Sequence, residues 1–265
     1  MKPLEGKRAL VTGSSAGLGQ GIALRLAEDG AEVCLHGRNA DRLATAKAKV
    51  FETGATVHAV AGSLSDDDSA KKVFDEAVEA MGGVDILINN AGGEASGKGF
   101  GAWLETSPQT WLDTYNSNVV SQVRMILAAV PGMKSAGWGR IVNLSSQSVD
   151  IAMPVIADYQ AAKTAIRNLT QSLALTLANT GITVNSVSPG LTHSTNTDDY
   201  MRTLLRDNGW DGDEATFQEK SDEILGQSFT GRVGTPADIA HAIAMLVDPR
   251  GGHVNGIDIL VDGGH

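Results

Sequence analysis

Residues 12–19 read Thr12-Gly13-Ser14-Ser15-Ala16-Gly17-Leu18-Gly19. An apolar run, RALVT at 8–12, leads into them. Leu18, Ile22, Ala23 and Leu26 follow at helical spacing. Strand, glycine-rich turn and amphipathic helix in this order make a β–α unit. Its glycines permit a tight turn and let backbone approach a pyrophosphate with no Cβ in the way. The helix that opens there offers free N–H groups and the positive end of its dipole to phosphate. Glycine also serves ordinary turns, so the position between strand and helix is what gives the motif its weight. The stretch is not a P-loop, because it lacks the Gly-Lys-Ser/Thr ending. Gly13, Ser15, Gly17, Leu18 and Gly19 are therefore the expected phosphate cradle.

Outward from this unit the chain keeps alternating. Strand-like runs recur at 32–36 (EVCLH), 56–61, 84–89 (VDILIN), 140–144 (RIVNL), 183–188 (TVNSVS) and 256–261 (GIDILV). Helical patterns lie at 40–53, 66–81, 110–134 (with a break expected near Pro131), 157–179 and 236–247. Apolar strands alternating with helices imply a parallel sheet covered on both faces. The reading is an α/β, three-layer, doubly wound Rossmann fold with a parallel seven-stranded sheet, forming one domain over 1–265. Residues 191–230 form a long, polar stretch with little sheet character, and are expected to act as a substrate lid.

Composition narrows the function. The formal net charge of −10 over 265 residues leaves no basic stripe for nucleic acid. No apolar run reaches the roughly 18 residues that a membrane span needs. The N-terminus lacks the apolar core of a signal peptide, so a cytoplasmic protein is expected. A lone cysteine, Cys34, excludes an intramolecular disulfide and a cysteine zinc site. The six histidines are scattered, with no metal-ligand spacing and no carboxylate partner pattern, so no metal is expected. Asp66-Asp67-Asp68 reads as a solvated helix start. Among the four tryptophans, Trp210 is a candidate to close over substrate, because it falls in the 191–230 stretch.

The second strand ends His36-Gly37-Arg38-Asn39. An acid here would grip a ribose 2′-hydroxyl, whereas an arginine accommodates a 2′-phosphate. Arg38 thus favours NADP(H) over NAD(H). Tyr159 and Lys163 lie four apart and share one helix face. A neighbouring ammonium is expected to lower the phenol's pKa and make it a usable acid or base. Ser145 and Ser146 end the RIVNL run, and Asn89-Asn90-Ala91-Gly92 ends VDILIN. Turn, amides, serines and the Tyr/Lys helix should converge on the carboxyl rim of the sheet, where open α/β sheets bind ligands.

These motifs, together with Asn118, YQAAK at 159–163, Ser-Pro-Gly at 188–190, GRVGTPADIA and the terminal NGIDILVDGG, resemble the short-chain dehydrogenase/reductases over essentially the whole chain. The resemblance implies a catalytic tetrad of Asn118, Ser146, Tyr159 and Lys163. It implies proton transfer by Tyr159 during hydride exchange between nicotinamide and a carbonyl carbon. Ser146 orients the carbonyl oxygen, Lys163 holds the nicotinamide ribose, and Asn118 places a relaying water. Asn90 is expected near the adenine-side ribose and Thr192 near the nicotinamide amide. Ser63 stands where the family usually has an Asp at the adenine, with the Leu64 backbone sharing that role.

The pocket is expected from 93–100, 148–156 and the lid. With no arginine cluster to clamp an anion, it suits an uncharged ketone or secondary alcohol. The alternative is a 3-oxoacyl-[acyl-carrier-protein] reductase, for which Lys134, Arg140 and Arg167 are the candidate docking cations. A non-catalytic dinucleotide sensor is the rival of another class. Relatives of this kind imply a homo-oligomer, a tetramer or a dimer.

Overall fold

The computed structural model describes residues 2–93, 103–225 and 228–264. Seven strands form one sheet: β1 (Arg8–Val11), β2 (Glu32–Gly37), β3 (Val57–Ala61), β4 (Ile86–Asn89), β5 (Gly139–Leu144), β6 (Ile182–Pro189) and β7 (Asp258–Val261). Their order is β3-β2-β1-β4-β5-β6-β7, and every pairing is parallel. The chain winds outward from β1 to one edge, returns, and winds to the other. The switch point therefore lies between β1 and β4, where the doubly wound class places its ligand crevice.

Alternation along the strands builds two cores, because successive side chains point to opposite faces. Val11, Leu35, Ile86 and Val142 pack with α1 (Gly17–Glu28), α2 (Ala40–Phe51) and α9 (Pro236–Val247). Leu10, Cys34, Leu87 and Ile141 face the other way, against α3 (Asp67–Met81), α5 (Ser121–Ala136) and α6 (Ala157–Thr176). Each buried large aliphatic side chain contributes about 2 kcal/mol of transfer free energy, so both faces anchor the sheet. Burial also raises the Cys34 thiol to about 12, which leaves it an inert strand residue.

The helix expected over 110–134 differs in where it is interrupted. It starts earlier, as α4 (Pro108–Tyr115), capped by the Ser107 side chain. It passes through a π-helical segment at Asn116–Val120 and continues as α5 straight through Pro131. Pro131 lies on an exposed face, so the Leu127 carbonyl that loses its partner is turned toward water. The stretch expected to be irregular holds two helices, α7 (Thr195–Asp207) and α8 (Glu214–Leu225). They enclose a satellite cluster of Met201, Leu205, Trp210 and Phe217. Trp210 packs against Phe217 and donates from Nε1 to Thr216 Oγ1 at 3.2 Å, so it is a packing residue of the cap and not a free flap.

Candidate active site

The turn after β1 is held by backbone necessity. Gly13 has φ +64° and Gly17 φ +57°, in the left-handed region that favours glycine. A Cβ on Gly19 would lie 2.4 Å from the Gly13 carbonyl oxygen and 2.5 Å from Asn90 Nδ2. Asn90 Nδ2 donates to the Thr12 and Gly13 carbonyls, both at 2.9 Å. The side chain expected at the adenine-side ribose is thus committed to closing the turn. His36 braces the turn from β2. Gly13 N–H donates to its Nδ1 at 3.2 Å, which leaves Nε2 to donate to the Gly62 carbonyl at 3.3 Å. Burial pushes the His36 pKa down to about 4 and keeps it in this neutral form. Nothing in local sequence marks that role, because it depends on three strand ends meeting.

The residues present fit a dinucleotide. Ala16, the N-cap of α1, makes no side-chain cap, so the first N–H groups of that helix remain available to an anion. Ser15 packs on the end of β2, where a Cβ on Gly37 would come 2.9 Å from its Oγ. Arg38 is exposed and makes no ion pair among the described residues. Ser63 Oγ sits 2.7 Å from Ser65 Oγ. Leu64 is buried, and its carbonyl accepts from Arg124 Nη1 at 3.0 Å. Asn116 donates to the Ser65 carbonyl at 2.9 Å and accepts from Arg124, which ties that loop to α5.

Asn118 lies in the π-helical segment, an irregularity that often marks functional positions. It is fully buried. Its Oδ1 accepts from Gly93 N–H at 2.9 Å and its Nδ2 donates to the Gly93 carbonyl at 2.6 Å. A Cβ on Gly92 would lie 2.7 Å from Asn118 Oδ1 and 3.6 Å from Lys163 Nζ. Asn118 and Lys163 therefore flank one glycine, while Asn116 points away from them.

The two serines divide their work. Ser145 Oγ donates to the Lys163 carbonyl at 2.9 Å, a structural tie. Ser146 Oγ hydrogen-bonds the Tyr159 phenol and accepts from Ser148 N–H and Oγ at 3.2 and 2.9 Å. Lys163 Nζ lies 5.4 Å from the Tyr159 ring centroid and donates to the Leu144 carbonyl at 2.8 Å.

The electrostatics differ from the expectation at Tyr159. Burial raises its pKa, the Ser146 hydrogen bond opposes this, and burial wins. Lys163 adds nothing to that shift, and burial brings its own ammonium down to about 8. Thr192 is buried and donates to the Gly190 carbonyl at 2.9 Å, at the base of the cap.

Next to it, His193 has carboxylate partners that sequence spacing did not reveal. Its Nδ1 is 2.9 Å from Asp198 and its Nε2 is 2.8 Å from Asp222. His58 pairs with Glu32 at 2.7 Å. The expected pocket residues 94–100 lie outside the described residues.

A glycine cradle at the switch point with a Ser/Tyr/Lys cluster on the same rim defines a nucleotide-dependent oxidoreductase site. Comparison with known proteins supports this. Residues 7–204 match the short chain dehydrogenase family. A dehydrogenase/reductase SDR family member 4 from Caenorhabditis elegans is 33% identical over 261 residues, covering 98% of this chain and 95% of that protein. A 3-oxoacyl-[acyl-carrier-protein] reductase FabG from Staphylococcus aureus is 33% identical over 259 residues, covering 97% of each. L-sorbose reductase from Gluconobacter frateurii, solved with NADPH and L-sorbose, superposes with TM-score 0.90 at 28% identity, over 100% of this chain and 98% of that one.

The chain belongs to the short-chain dehydrogenase/reductase family. It is an oxidoreductase of that family, whose members act on alcohols and ketones with nicotinamide cofactors. No helix among the described residues is long and apolar enough to cross a membrane.

Proposed function

We propose that the protein is an NADP(H)-dependent reductase of an uncharged ketone, reversible to the secondary alcohol. The observation that carries this reading is the Ser146–Tyr159–Lys163 cluster beside a cradle where Arg38, just after β2, makes no ion pair among the described residues. When bound, the nicotinamide supplies hydride to the carbonyl carbon. Tyr159, whose burial keeps its phenol protonated near neutral pH, gives its proton to the carbonyl oxygen. Ser146 fixes that oxygen and orients the phenol. Lys163 holds the ribose hydroxyls and, once so engaged, stabilises the phenolate left behind. Asn118 places the water that returns a proton toward Lys163. Arg38 takes the 2′-phosphate, with Ser15 beside it, and Ser63 and the Leu64 N–H face the adenine. Residues 191–230 cover the substrate. The fit of L-sorbose reductase to the whole chain supports an uncharged ketone as the substrate class.

The similarity to FabG favours a second reading, reduction of a carrier-bound 3-oxoacyl group. The candidate docking cations weaken it. Arg140 is buried beneath Trp138, and Arg167 is locked between Asp150 and Asp258. Of the three, only Lys134 is exposed.

Fluorescence titration of NADPH and NADH, followed by turnover on a panel of neutral ketones and ketoses, tests the proposal. A strong NADPH preference that collapses in Arg38→Asp supports it, and a preference for NADH overturns the reading of Arg38. Tyr159→Phe should lose roughly 10²- to 10⁴-fold in turnover while keeping cofactor affinity. Wild-type protein that binds NADPH but turns over none of the ketones would instead favour a non-catalytic binding protein, and unchanged turnover in Tyr159→Phe would overturn the role given to Tyr159.

A further inference from the structure

Arg167 stands on α6 four residues beyond Lys163, one turn further along the same side of that helix. Its guanidinium makes two parallel hydrogen bonds to Asp150, each 2.7 Å. Its Nη2 and Nε reach Ser188 Oγ at 3.1 and 3.3 Å, and Nε lies 3.0 Å from Asp258 Oδ2. Asp258, at the start of β7, also accepts from the Ser186 and Ser188 hydroxyls at 2.6 and 2.9 Å.

These contacts join three segments that each carry part of the site. Asp150 ends the short 3₁₀ turn whose N-cap is Ser146. α6 carries Tyr159 and Lys163. Ser188 precedes Pro189-Gly190, which leads to Thr192. A bidentate arginine–carboxylate pair fixes both distance and orientation, which a point charge does not. One independent tether holds the same loop: Gln160, next to Tyr159, donates to the Ser148 and Ile151 carbonyls and accepts from Met153 N–H at 3.0 Å.

We propose that Arg167, gripped between Asp150 and Asp258, is a positioning residue that sets the spacing of Ser146 against Tyr159. It touches neither substrate nor cofactor and acts through the turn that Ser146 caps. The inference rests on the roles given above to Ser146 and Tyr159. Asp150 is about half exposed, so Asp150→Asn removes the ion pair without opening the core, whereas Arg167→Lys keeps the charge and loses the fork.

Both variants are tested as purified full-length protein, with kcat and KM measured separately for a neutral ketone and for NADPH, alongside thermal melting. The expected result is a roughly tenfold fall in kcat for each, since small misplacements of reacting groups are costly. KM for NADPH should stay within about twofold, and the double variant should be no worse than the poorer single one, because one contact is being removed twice. Wild-type kcat in both variants overturns the proposal. So does a kcat loss matched by equal losses of NADPH affinity and melting temperature, which would show a merely structural tie. A wild-type protein that binds NADPH but reduces no ketone overturns the site assignment and this inference with it. Wild-type turnover with unaltered variants overturns this inference alone.

Discussion

The phosphate turn at 12–19 and the cap at 191–230 meet at the same rim, where a Cβ on Gly17 would lie 3.6 Å from Ser194 Cβ. They are built in opposite ways. The turn is held by backbone geometry: positive φ at Gly13 and Gly17, no room for a Cβ at Gly19, and a buried neutral His36 as brace. The cap is held by side chains, namely one small apolar cluster and His193 set between two carboxylates. A cradle for a fixed ligand benefits from having one conformation. A segment held by a few apolar side chains and one charged cluster opens more readily than one fixed by its backbone. The comparison therefore makes predictions that should affect one region and spare the other.

The largest effect is expected from Gly19→Ala. The new methyl meets the backbone at Gly13 and the amide of Asn90, neither of which can yield cheaply. NADPH affinity should fall by about 100-fold, with a lower melting temperature. Titration beside a melt checks this, and near-normal affinity would mean the turn is softer than its geometry implies.

Phe217→Ala attacks the cap. It opens the satellite cluster at a local cost of about 3 kcal/mol, the low end for a buried aromatic. Hydrogen exchange over 195–225 should accelerate and KM for the ketone should rise, while NADPH affinity stays unchanged. Lost NADPH affinity would show that the two regions are coupled.

The two histidines titrate with opposite signs. His36 has a folded pKa near 4, below its unfolded value of about 6.5. Its contribution is present above pH 6.5 and is lost as pH falls toward 4, by about 2 kcal/mol between pH 6.5 and 5. Acid should loosen the cradle first, read as earlier loss of exchange protection at 12–19, and His36→Gln should flatten that dependence.

His193 shows the reverse. Burial disfavours its charge, but the hydrogen bonds and charges of Asp198 and Asp222 prevail and raise its pKa. Its contribution is complete below about pH 6.5 and is lost as pH rises through the raised value. Cap protection should therefore weaken from pH 6 to 8.5, by less than about 1 kcal/mol, and His193→Gln should abolish the change. A cap equally protected at both pH values would show that His193 does not hold it.

Legibility followed the same division. The alternation of strands and helices, the seven-stranded sheet and the glycine turn could be read directly, because period-2 and period-3.6 patterns and glycine-only turns are local constraints. Boundaries moved by a few residues. The interruption in the long helix is at Asn116–Val120 and not at Pro131, because a proline on an exposed face is tolerated whereas the π-helical register answers to packing around Asn118. The helices of the cap were missed because their apolar residues are few and serve a private cluster.

By itself the sequence determined the fold class, the switch point and the residue types gathered on its rim, since hydrophobic periodicity and glycine chemistry act between near neighbours. Tertiary structure decided what each neighbouring side chain touches: Ser145 ties to the Lys163 carbonyl while Ser146 sits at Tyr159, and Asn116 ties to Ser65 while Asn118 sits at Gly93. It also decided the direction in which the pKa values of Tyr159, Lys163, His36 and His193 move. Burial and partners distant in sequence set those properties: His36 meets Gly13 and Gly62, 23 and 26 residues away, and His193 meets Asp222, 29 residues away.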